Sequence, residues 1–306
     1  MTKNNSNLSK AKKAKNDEFY TQLSDIENEL RYYKPHFEGK IVLCNCNDAI
    51  HGNFAKYFSL NFEFLKLKEL ICTSYGDGEE NGKICIYKGD KNGNGVPDID
   101  EWEQYELNGK GDFRSEEMIE LLKRADIVVT NPPFSLFREY VAQLIQYDKK
   151  FLIIGNLNAV AYKEIFPLIK DNKIWLGQNA KGGTRKGNSL SFTNENGELK
   201  DISSWWYTNI DCIRHNTFID LYKHYNEEEY PKYDNYNAIN VNKSSDIPID
   251  YDGVMGVPIS FLMFHCPEQF EIIGIDRYVE DNPKYGHRFN LNGKEVYARI
   301  LIKILK

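Results

Sequence analysis

The feature that most constrains the fold is a rigid turn, Asn131-Pro132-Pro133-Phe134, directly after the apolar run Asp126–Thr130. A short β-branched run without polar interruption is typical of a strand buried in a parallel sheet. The two prolines can continue neither strand nor helix, so they fix a turn. Residues 135–147 then repeat apolar side chains at helical spacing. This order predicts an α/β fold with the turn at the carboxyl end of a strand, where open sheets bind ligands.

The same turn carries two hydrogen-bond acceptors and an aromatic ring. The side-chain carbonyl of Asn131 and the backbone carbonyl of Pro132 can each accept one hydrogen of an amino group. Phe134 can offer a stacking face. These groups favour a site for a planar ring with an exocyclic amine, and a generic strand-to-helix turn is the alternative.

Composition bounds the setting of this site. The chain has 306 residues, 41% of them hydrophobic, which is enough to bury a sizeable core. No apolar run approaches the roughly 20 residues of a membrane span, and the polar, basic start is unlike a signal peptide, so we expect a cytoplasmic protein. The six cysteines are expected to be reduced thiols. A net charge of −6 neither indicates nor excludes a nucleic-acid partner.

Patterning along the chain predicts three parts. Residues 1–16 form a basic flexible arm, and residues 17–178 form a catalytic domain in which strands alternate with helices around a parallel, doubly wound sheet. A Gly-, Asp- and Asn-rich insertion covers about 73–111. Residues 179–306 are irregular and β-leaning, as expected of a region that reads a substrate. Asn292-Gly293 within them predicts a two-residue hairpin.

Four segments together resemble a known family: Asp17-Glu18-Phe19-Tyr20-Thr21, Gly111-Asp112-Phe113-Arg114-Ser115, Asn131–Phe137 and Met255-Gly256-Val257-Pro258. They resemble the DNA N6-adenine methyltransferases, specifically the EcoRI-type modification methylases, over most of the chain. Asn-Pro-Pro-aromatic alone covers many amino-methyltransferases, whereas its combination with Phe-Tyr-Thr and Gly-Asp-Phe is more specific. The resemblance implies a Rossmann-like doubly wound methyltransferase sheet with a target-recognition region, S-adenosylmethionine as cofactor, and double-stranded DNA as partner.

The resemblance also implies a cofactor site. Three residues would close over the methionine end of the cofactor: Phe19, Tyr20 and Thr21. Three would stand in the loop after the first strand: Asn45, Asn47 and Asp48. Asp112 would accept from the amine of the cofactor adenine while Phe113 packs on its face. The loop departs from the family pattern because its only glycine, Gly52, comes late. The second strand, predicted over residues 62–72, lacks a clear acid at its end to bind the ribose hydroxyls of the cofactor. Glu69 is the nearest acid, and a surface position is its alternative.

For the substrate, the resemblance makes Asn131, Pro132, Pro133 and Phe134 the catalytic turn that receives an extruded adenine. Three aromatic residues are candidates for a second stacking surface: Trp205, Trp206 and Tyr207. Three basic residues are candidates for phosphate contacts: Lys181, Arg185 and Lys186. The chemistry needs no metal, so we expect none. Asp90–Glu101 fits the twelve-residue calcium loop, although a hydrogen-bonded Asx-rich loop is our preferred interpretation.

The main prediction is therefore a site-specific DNA adenine methyltransferase that modifies host or phage DNA as a monomer, with a restriction endonuclease encoded separately as a possible partner. One alternative is an amino-methyltransferase that acts on RNA or on a protein glutamine. Another is a catalytically silent DNA-binding relative, which the glycine-poor loop favours and the intact Asn131–Phe134 turn disfavours. Binding of S-adenosylmethionine distinguishes the enzymes from the silent relative.

Overall fold

The structure is a computed structural model that describes residues 20–45, 48–179, 189–193, 199–279 and 286–306. These residues form two compact units. The first falls within Met1–Leu157 and Asn188–Ile210, and the second within Asn158–Gly187 and Asp211–Lys306. The three-part division expected from the sequence stays a prediction. No helix in the described part of the chain is long and apolar enough to cross a membrane.

The strands, in chain order, have the following bounds: β1 Tyr20–Thr21, β2 Ile41–Asn45, β3 Glu69–Ser74, β4 Lys83–Tyr87, β5 Trp102–Glu106, β6 Ile127–Thr130, β7 Lys150–Asn156, β8 Trp175–Leu176, β9 Ser189–Thr193, β10 Leu199–Thr208, β11 Ile239–Asn240, β12 Met255–Pro258, β13 Phe270–Ile275, β14 Asn290–Leu291, β15 Lys294–Glu295 and β16 Arg299–Ile304. The α-helices are α1 Leu23–Leu30, α2 Lys34–Phe37, α3 Asn53–Leu60, α4 Phe62–Leu65, α5 Glu116–Arg124, α6 Phe137–Gln146 and α7 Phe166–Lys170.

The first unit is built on one large sheet. Its strands follow the order β1-β9-β10-β7-β6-β2-β3-β4-β5. The four central strands, β7, β6, β2 and β3, are parallel, and the crossovers between them carry α-helices, which confirms the Rossmann-like α/β fold. The outer strands are antiparallel, so the sheet is mixed rather than wholly parallel. Two of them, β4 and β5, come from the insertion predicted at about 73–111.

The second strand begins later than its apolar pattern predicts. Residues Phe62–Leu65 form helix α4 instead, and Lys66 ends that helix in a left-handed conformation with φ 52°. Strand β3 starts only at Glu69. The prediction over 62–72 was therefore wrong in its first half, because a short apolar run does not distinguish a buried strand from a buried helical turn.

The second unit holds a smaller sheet, ordered β11-β12-β16-β13, and a separate hairpin of β14 and β15. The hairpin turns at Asn292 and Gly293, whose φ angles are 51° and 74°. Two successive positive φ angles are what the favoured two-residue hairpin turn requires, so the Asn-Gly prediction is confirmed. A core of Tyr233, Phe289 and Leu301, among others, lies beneath the hairpin.

Candidate active site

The Asn-Pro-Pro-Phe turn lies at the carboxyl end of β6, a strand that is buried along its whole length. Asn131 is half-buried, and its side-chain oxygen Oδ1 is inaccessible to solvent. Pro132 is buried, while Pro133 and Phe134 are half-buried. A single 3-10 turn, Phe134–Leu136, then leads into α6. Both predicted acceptors and the ring thus meet at the edge of the sheet where α/β proteins bind ligands.

Asn45, at the end of the neighbouring strand β2, is held from two directions. The Thr130 hydroxyl donates to the Asn45 carbonyl oxygen at 2.7 Å, and Thr130 directly precedes the Asn-Pro-Pro-Phe turn. The Tyr140 hydroxyl donates to Asn45 Oδ1 at 3.0 Å, from the helix that follows the turn. The start of the candidate cofactor loop is therefore fixed to both sides of the Asn-Pro-Pro-Phe turn.

Phe113 is also held by helix α6. Its ring meets the Tyr140 ring edge-on, with centroids 5.0 Å apart and planes at 74°. Its backbone carbonyl accepts a hydrogen bond of 2.9 Å from Gln143 Nε2. Tyr140 and Gln143 are three residues apart and so share a face of the helix. One face of α6 therefore contacts two of the three segments that the family resemblance assigns to the cofactor.

Asp112 is ionised and rigidly placed. Arg114 donates to it through two nitrogens, Nε to Oδ1 at 2.9 Å and Nη2 to Oδ2 at 2.7 Å. These hydrogen bonds hold the pKa of Asp112 below its usual value. Arg114 in turn contacts Glu139 at 3.0 Å. An ionised carboxylate accepts hydrogen bonds only, and each oxygen has more than one acceptor position, so Asp112 suits an exocyclic amine.

Asp48 shapes the candidate cofactor loop. Its Oδ1 accepts backbone N–H groups of Ile50 at 3.0 Å and His51 at 2.7 Å. Helix α3 then begins at Asn53, whose side-chain amide donates to the Thr21 carbonyl at 2.7 Å. Thr21 is thereby held beside the start of α3. The Asp48 side chain thus fixes the loop backbone two and three residues farther on, as in an Asx turn.

Several predicted site residues lie outside the described part of the chain: Phe19, Asn47, Lys181, Arg185 and Lys186. Of Tyr20, the structure describes the backbone, which pairs with Thr193 in the first unit's sheet. The roles assigned to these residues stay predictions.

The three aromatic residues of β10 are all buried, with 0 to 4% of their surface exposed. Trp206 packs against Phe54 of α3, with ring centroids 6.2 Å apart. Tyr207 packs against Phe137 at 5.0 Å and donates its hydroxyl to the Asn156 carbonyl at 2.8 Å. These contacts place the rings of Trp206 and Tyr207 in the core of the first unit, and Trp205 is equally buried. The contact of these three residues with an extruded base stays a prediction.

Glu69 does not lie where a ribose ligand would. It is at the amino end of β3, only 6% exposed, and forms an ion pair with Arg124 of α5. Cofactors bind at the opposite, carboxyl end of such a sheet. Glu69 is therefore neither at the ribose position nor on the surface. Its buried carboxylate is stabilised by Arg124 of α5, which is distant in sequence but in contact with it in the fold.

The calcium-like loop is closed by its own hydrogen bonds. Asp90 accepts the backbone N–H groups of Gly93 and Gly95, each at 2.7 Å. Glu101 accepts that of Lys91 at 2.7 Å and that of Asp98 at 3.0 Å. Asp90 and Glu101 thus hold the backbone of this Asx-rich loop through hydrogen bonds. Among the residues described, no group of three or more His, Cys, Asp or Glu side chains is placed to hold a metal ion.

The arrangement of the fold and the site is that of an amino-methyltransferase. A Rossmann-like sheet presents Asn-Pro-Pro-Phe at the end of a central strand, and Phe113, next to the acid Asp112, packs against the helix that follows the turn. In agreement with this class, the model of the family described as "Adenine-specific methyltransferase EcoRI" matches residues 7–304. The chain belongs to this family and is an adenine-specific DNA methyltransferase, which confirms the resemblance seen in its sequence.

Curated relatives match along their whole length. The chain is 49% identical to the Type II methyltransferase M.EcoRI of Escherichia coli, over 99% of this chain and 98% of that protein. It is 39% identical to the Type II methyltransferase M.MgeORF184P of Mycoplasma genitalium, over 97% and 98% of the two chains. Identity to the Type II methyltransferase M.MpnI of Mycoplasma pneumoniae is 36%, over 97% of each chain.

Proposed function

We propose that this enzyme transfers a methyl group from S-adenosylmethionine to N6 of an adenine flipped out of duplex DNA at one short sequence. The observation that carries the proposal is the bonding around Asn45. Through Thr130 and Tyr140, Asn45 links the catalytic turn to two of the proposed cofactor segments, its own and that of Phe113. A site for methyl transfer must hold donor and acceptor at a fixed separation, and this network connects the parts that would do so.

The residues near the sheet edge fit the donor set of S-adenosylmethionine. Ionised Asp112 can accept from the adenine amine of the cofactor, and the half-buried Phe113 ring can pack on its face. Asn45 and Asp48, together with Thr21, lie in the segments that would surround the methionine end. When bound, the cofactor supplies a methyl group on a positively charged sulfur.

Asn131 and Pro132 would act on the target amine. Asn131 Oδ1 and the Pro132 carbonyl each accept one N6 hydrogen, which favours a more tetrahedral nitrogen with its lone pair directed at the methyl group. The new bond joins N6 to the methyl carbon as the carbon–sulfur bond breaks, and the surplus N6 proton leaves to water. These acceptors stabilise the positive charge that develops on N6, so neither a metal nor a strong base is needed.

Phe134 would hold the flipped base. Extruding a base from the duplex costs a few kcal/mol. Stacking on an aromatic ring contributes roughly 1–3 kcal/mol per base, enough to offset much of that cost.

Contacts to phosphates by Lys181, Arg185 and Lys186 remain part of the proposal. Their joint replacement by alanine should weaken DNA binding and flatten its salt dependence without changing cofactor affinity.

Substitution of Asn131 tests the reaction. Asn131→Ala should lower kcat by ~10²-fold or more, as expected when a hydrogen bond made in the transition state is lost, with DNA affinity nearly unchanged. Asn131→Asp is the matched control, because it keeps size and an acceptor oxygen, and it should retain more turnover than alanine. Near wild-type turnover in Asn131→Ala would remove this residue from the mechanism.

The alternative substrates are tested by following labelled methyl groups from S-adenosylmethionine. Duplex DNA should take up the label at adenine N6 within one motif. Label in RNA or in a protein glutamine, with none in DNA, would overturn the proposal. We also propose that a separately encoded restriction endonuclease cuts the unmethylated motif, a pairing supported by the relatives, which are named Type II methyltransferases.

A further inference from the structure

An exposed tyrosine in the second unit, Tyr297, lies in a loop whose backbone is held by a buried arginine. Tyr297 follows the hairpin of β14 and β15, and 83% of its surface is exposed. The guanidinium of Arg299 donates from Nη1 to the Tyr297 carbonyl at 3.2 Å. Arg299 is itself only 8% exposed, and its Nε donates to Asn240 Oδ1 at 3.1 Å. The buried Arg299 thus anchors the backbone of the exposed Tyr297 to the core of the second unit.

The hairpin beside Tyr297 is equally fixed. We call residues 286–298 the C-terminal ribbon. Both Asp234 carboxylate oxygens accept backbone N–H groups at its tip, from Asn292 at 3.2 Å and from Gly293 at 2.7 Å. Farther along, Val296 N–H donates to the Phe289 carbonyl at 2.9 Å. A ribbon held at its tip and its base presents exposed side chains with little conformational entropy left to lose on binding.

The chemistry of the ribbon points to an anionic partner. Residues 286–306 contain five basic side chains and one acid in a protein whose net charge is −6. Arg299 is buried, Lys303 lies on β16, and Lys306 pairs with Asp252 at 2.9 Å, which leaves Arg288 and Lys294 on the ribbon itself. A two-stranded ribbon fits the major groove of B-DNA, and an aromatic ring can contact bases there.

We propose that the C-terminal ribbon docks onto duplex DNA, with Tyr297 contacting bases and Lys294 contacting a phosphate. The inference rests on the proposed function and names residues that would determine its sequence specificity. The buried network of Arg299 and Asn240 is a positioning device for Tyr297. Tyr233 completes it by donating its hydroxyl to Asn240 Oδ1 at 2.9 Å.

The two contacts make different predictions because phosphate contacts carry no sequence information and base contacts do. Once the methylated motif is known, binding is measured to a duplex that contains it and to one with a single base pair changed. Tyr297→Ala should reduce the ratio of the two affinities roughly tenfold. Lys294→Ala should weaken both about equally and lower the salt slope by about one. Tyr297→Phe keeps the ring and should keep the ratio.

Tyr105→Ala is the matched control. Tyr105 is 53% exposed, but it lies on β5 between Glu103 and Glu106, where phosphates would be repelled. This variant should bind both duplexes as the wild type does. Thermal unfolding and affinity for S-adenosylhomocysteine should be unchanged in Tyr297→Ala, which separates a lost contact from a damaged fold.

The result that overturns the proposal is an unchanged affinity ratio in Tyr297→Ala while the wild type methylates the motif. Failure of the proposed function would look different, because the wild type itself would then leave DNA unmethylated. Equal losses in Tyr297→Ala and Tyr105→Ala would also overturn it, since they would show a general effect of removing surface rings.

Discussion

Replacing Tyr140 by phenylalanine tests whether helix α6 sets the geometry of the cofactor site. The change deletes one hydroxyl, which donates to Asn45 Oδ1 at 3.0 Å. It leaves the edge-on ring contact with Phe113, whose centroid distance is 5.0 Å. Any effect therefore reports on the hydrogen bond rather than on packing. Tyr140 does not touch the reacting atoms in this scheme, so it is a positioning residue.

The expected magnitude follows from burial. Tyr140 is only 3% exposed, so water cannot readily replace the lost donor. A neutral hydrogen bond contributes about 1 kcal/mol net, and an acceptor left unsatisfied in a buried site costs about 1–3 kcal/mol. If about 1–2 kcal/mol of this falls on cofactor binding, the Kd for the cofactor rises roughly five- to thirtyfold. The proposed catalytic turn, Asn131–Phe134, is linked to the same network through Thr130, so kcat should fall as well.

Calorimetric titration with S-adenosylhomocysteine measures the first effect, and steady-state kinetics separate kcat from KM. The matched control is Tyr33→Phe, which also deletes a buried hydroxyl, one that donates to Glu29 Oε1 at 2.8 Å. That control should lower stability without changing cofactor affinity. If Tyr140→Phe binds S-adenosylhomocysteine and turns over like the wild type, Asn45 is not positioned through this bond, and the coupling role of α6 is refuted.

Three further perturbations have signs fixed by the structure. Burial lowers the pKa of His265 from 6.5 to about 4, so the unfolded chain takes up a proton between these values and the native state does not. Stability should fall by roughly 3 kcal/mol as pH drops through this window, and His265→Gln should flatten the fall in urea midpoints. Gly155→Ala would place a Cβ 2.4 Å from the Phe137 ring. The free energy of unfolding should therefore fall by about 1–3 kcal/mol, and the melting temperature and the turnover should fall with it. Arg114→Gln removes the group that holds the pKa of Asp112 below its usual value of 3.8. The affinity for S-adenosylhomocysteine, titrated downward from pH 7 to below this value, should therefore decline at a higher pH than in the wild type.

Features written in a few neighbouring residues could be predicted from the sequence. The turn at Asn131–Phe134 needs only a β-branched strand, two prolines and an amphipathic helix, and the structure has all three in that order. The Asn292-Gly293 hairpin likewise follows from two positive φ angles that few other residues adopt. In both cases the local residues permit few backbone conformations, so contacts with distant parts of the chain did not change the predicted structure.

Features that depend on partners distant in the chain could not be predicted from the sequence. Tyr140 fits the apolar face of α6, and that pattern gives no sign that its hydroxyl meets Asn45, 95 residues away in the chain. Gln143 looks like an exposed polar residue until its contact with Phe113 is seen. Glu69 follows the same logic, because burial of its carboxylate depends on Arg124 across the fold. The hydrophobic period of a sequence predicts which face of a helix is buried. It does not predict which atom on that face finds a hydrogen-bond or ion-pair partner.

In the proposed mechanism, the position of the methyl donor relative to the target amine would therefore depend on groups that the sequence motifs do not include. Asn131 and Pro132 belong to one turn, whereas the cofactor would be held by segments near Asn45 and Phe113. Strand spacing sets the coarse separation of these segments, since β2 and β6 are adjacent in the sheet. The finer separation depends on helix α6, which begins just after the turn and bonds to both segments. Reacting atoms must approach to about 3 Å, and a misplacement of 1 Å can cost 10²-fold in rate. A chain with all the motifs intact could for this reason still be a poor enzyme if α6 lost its contacts.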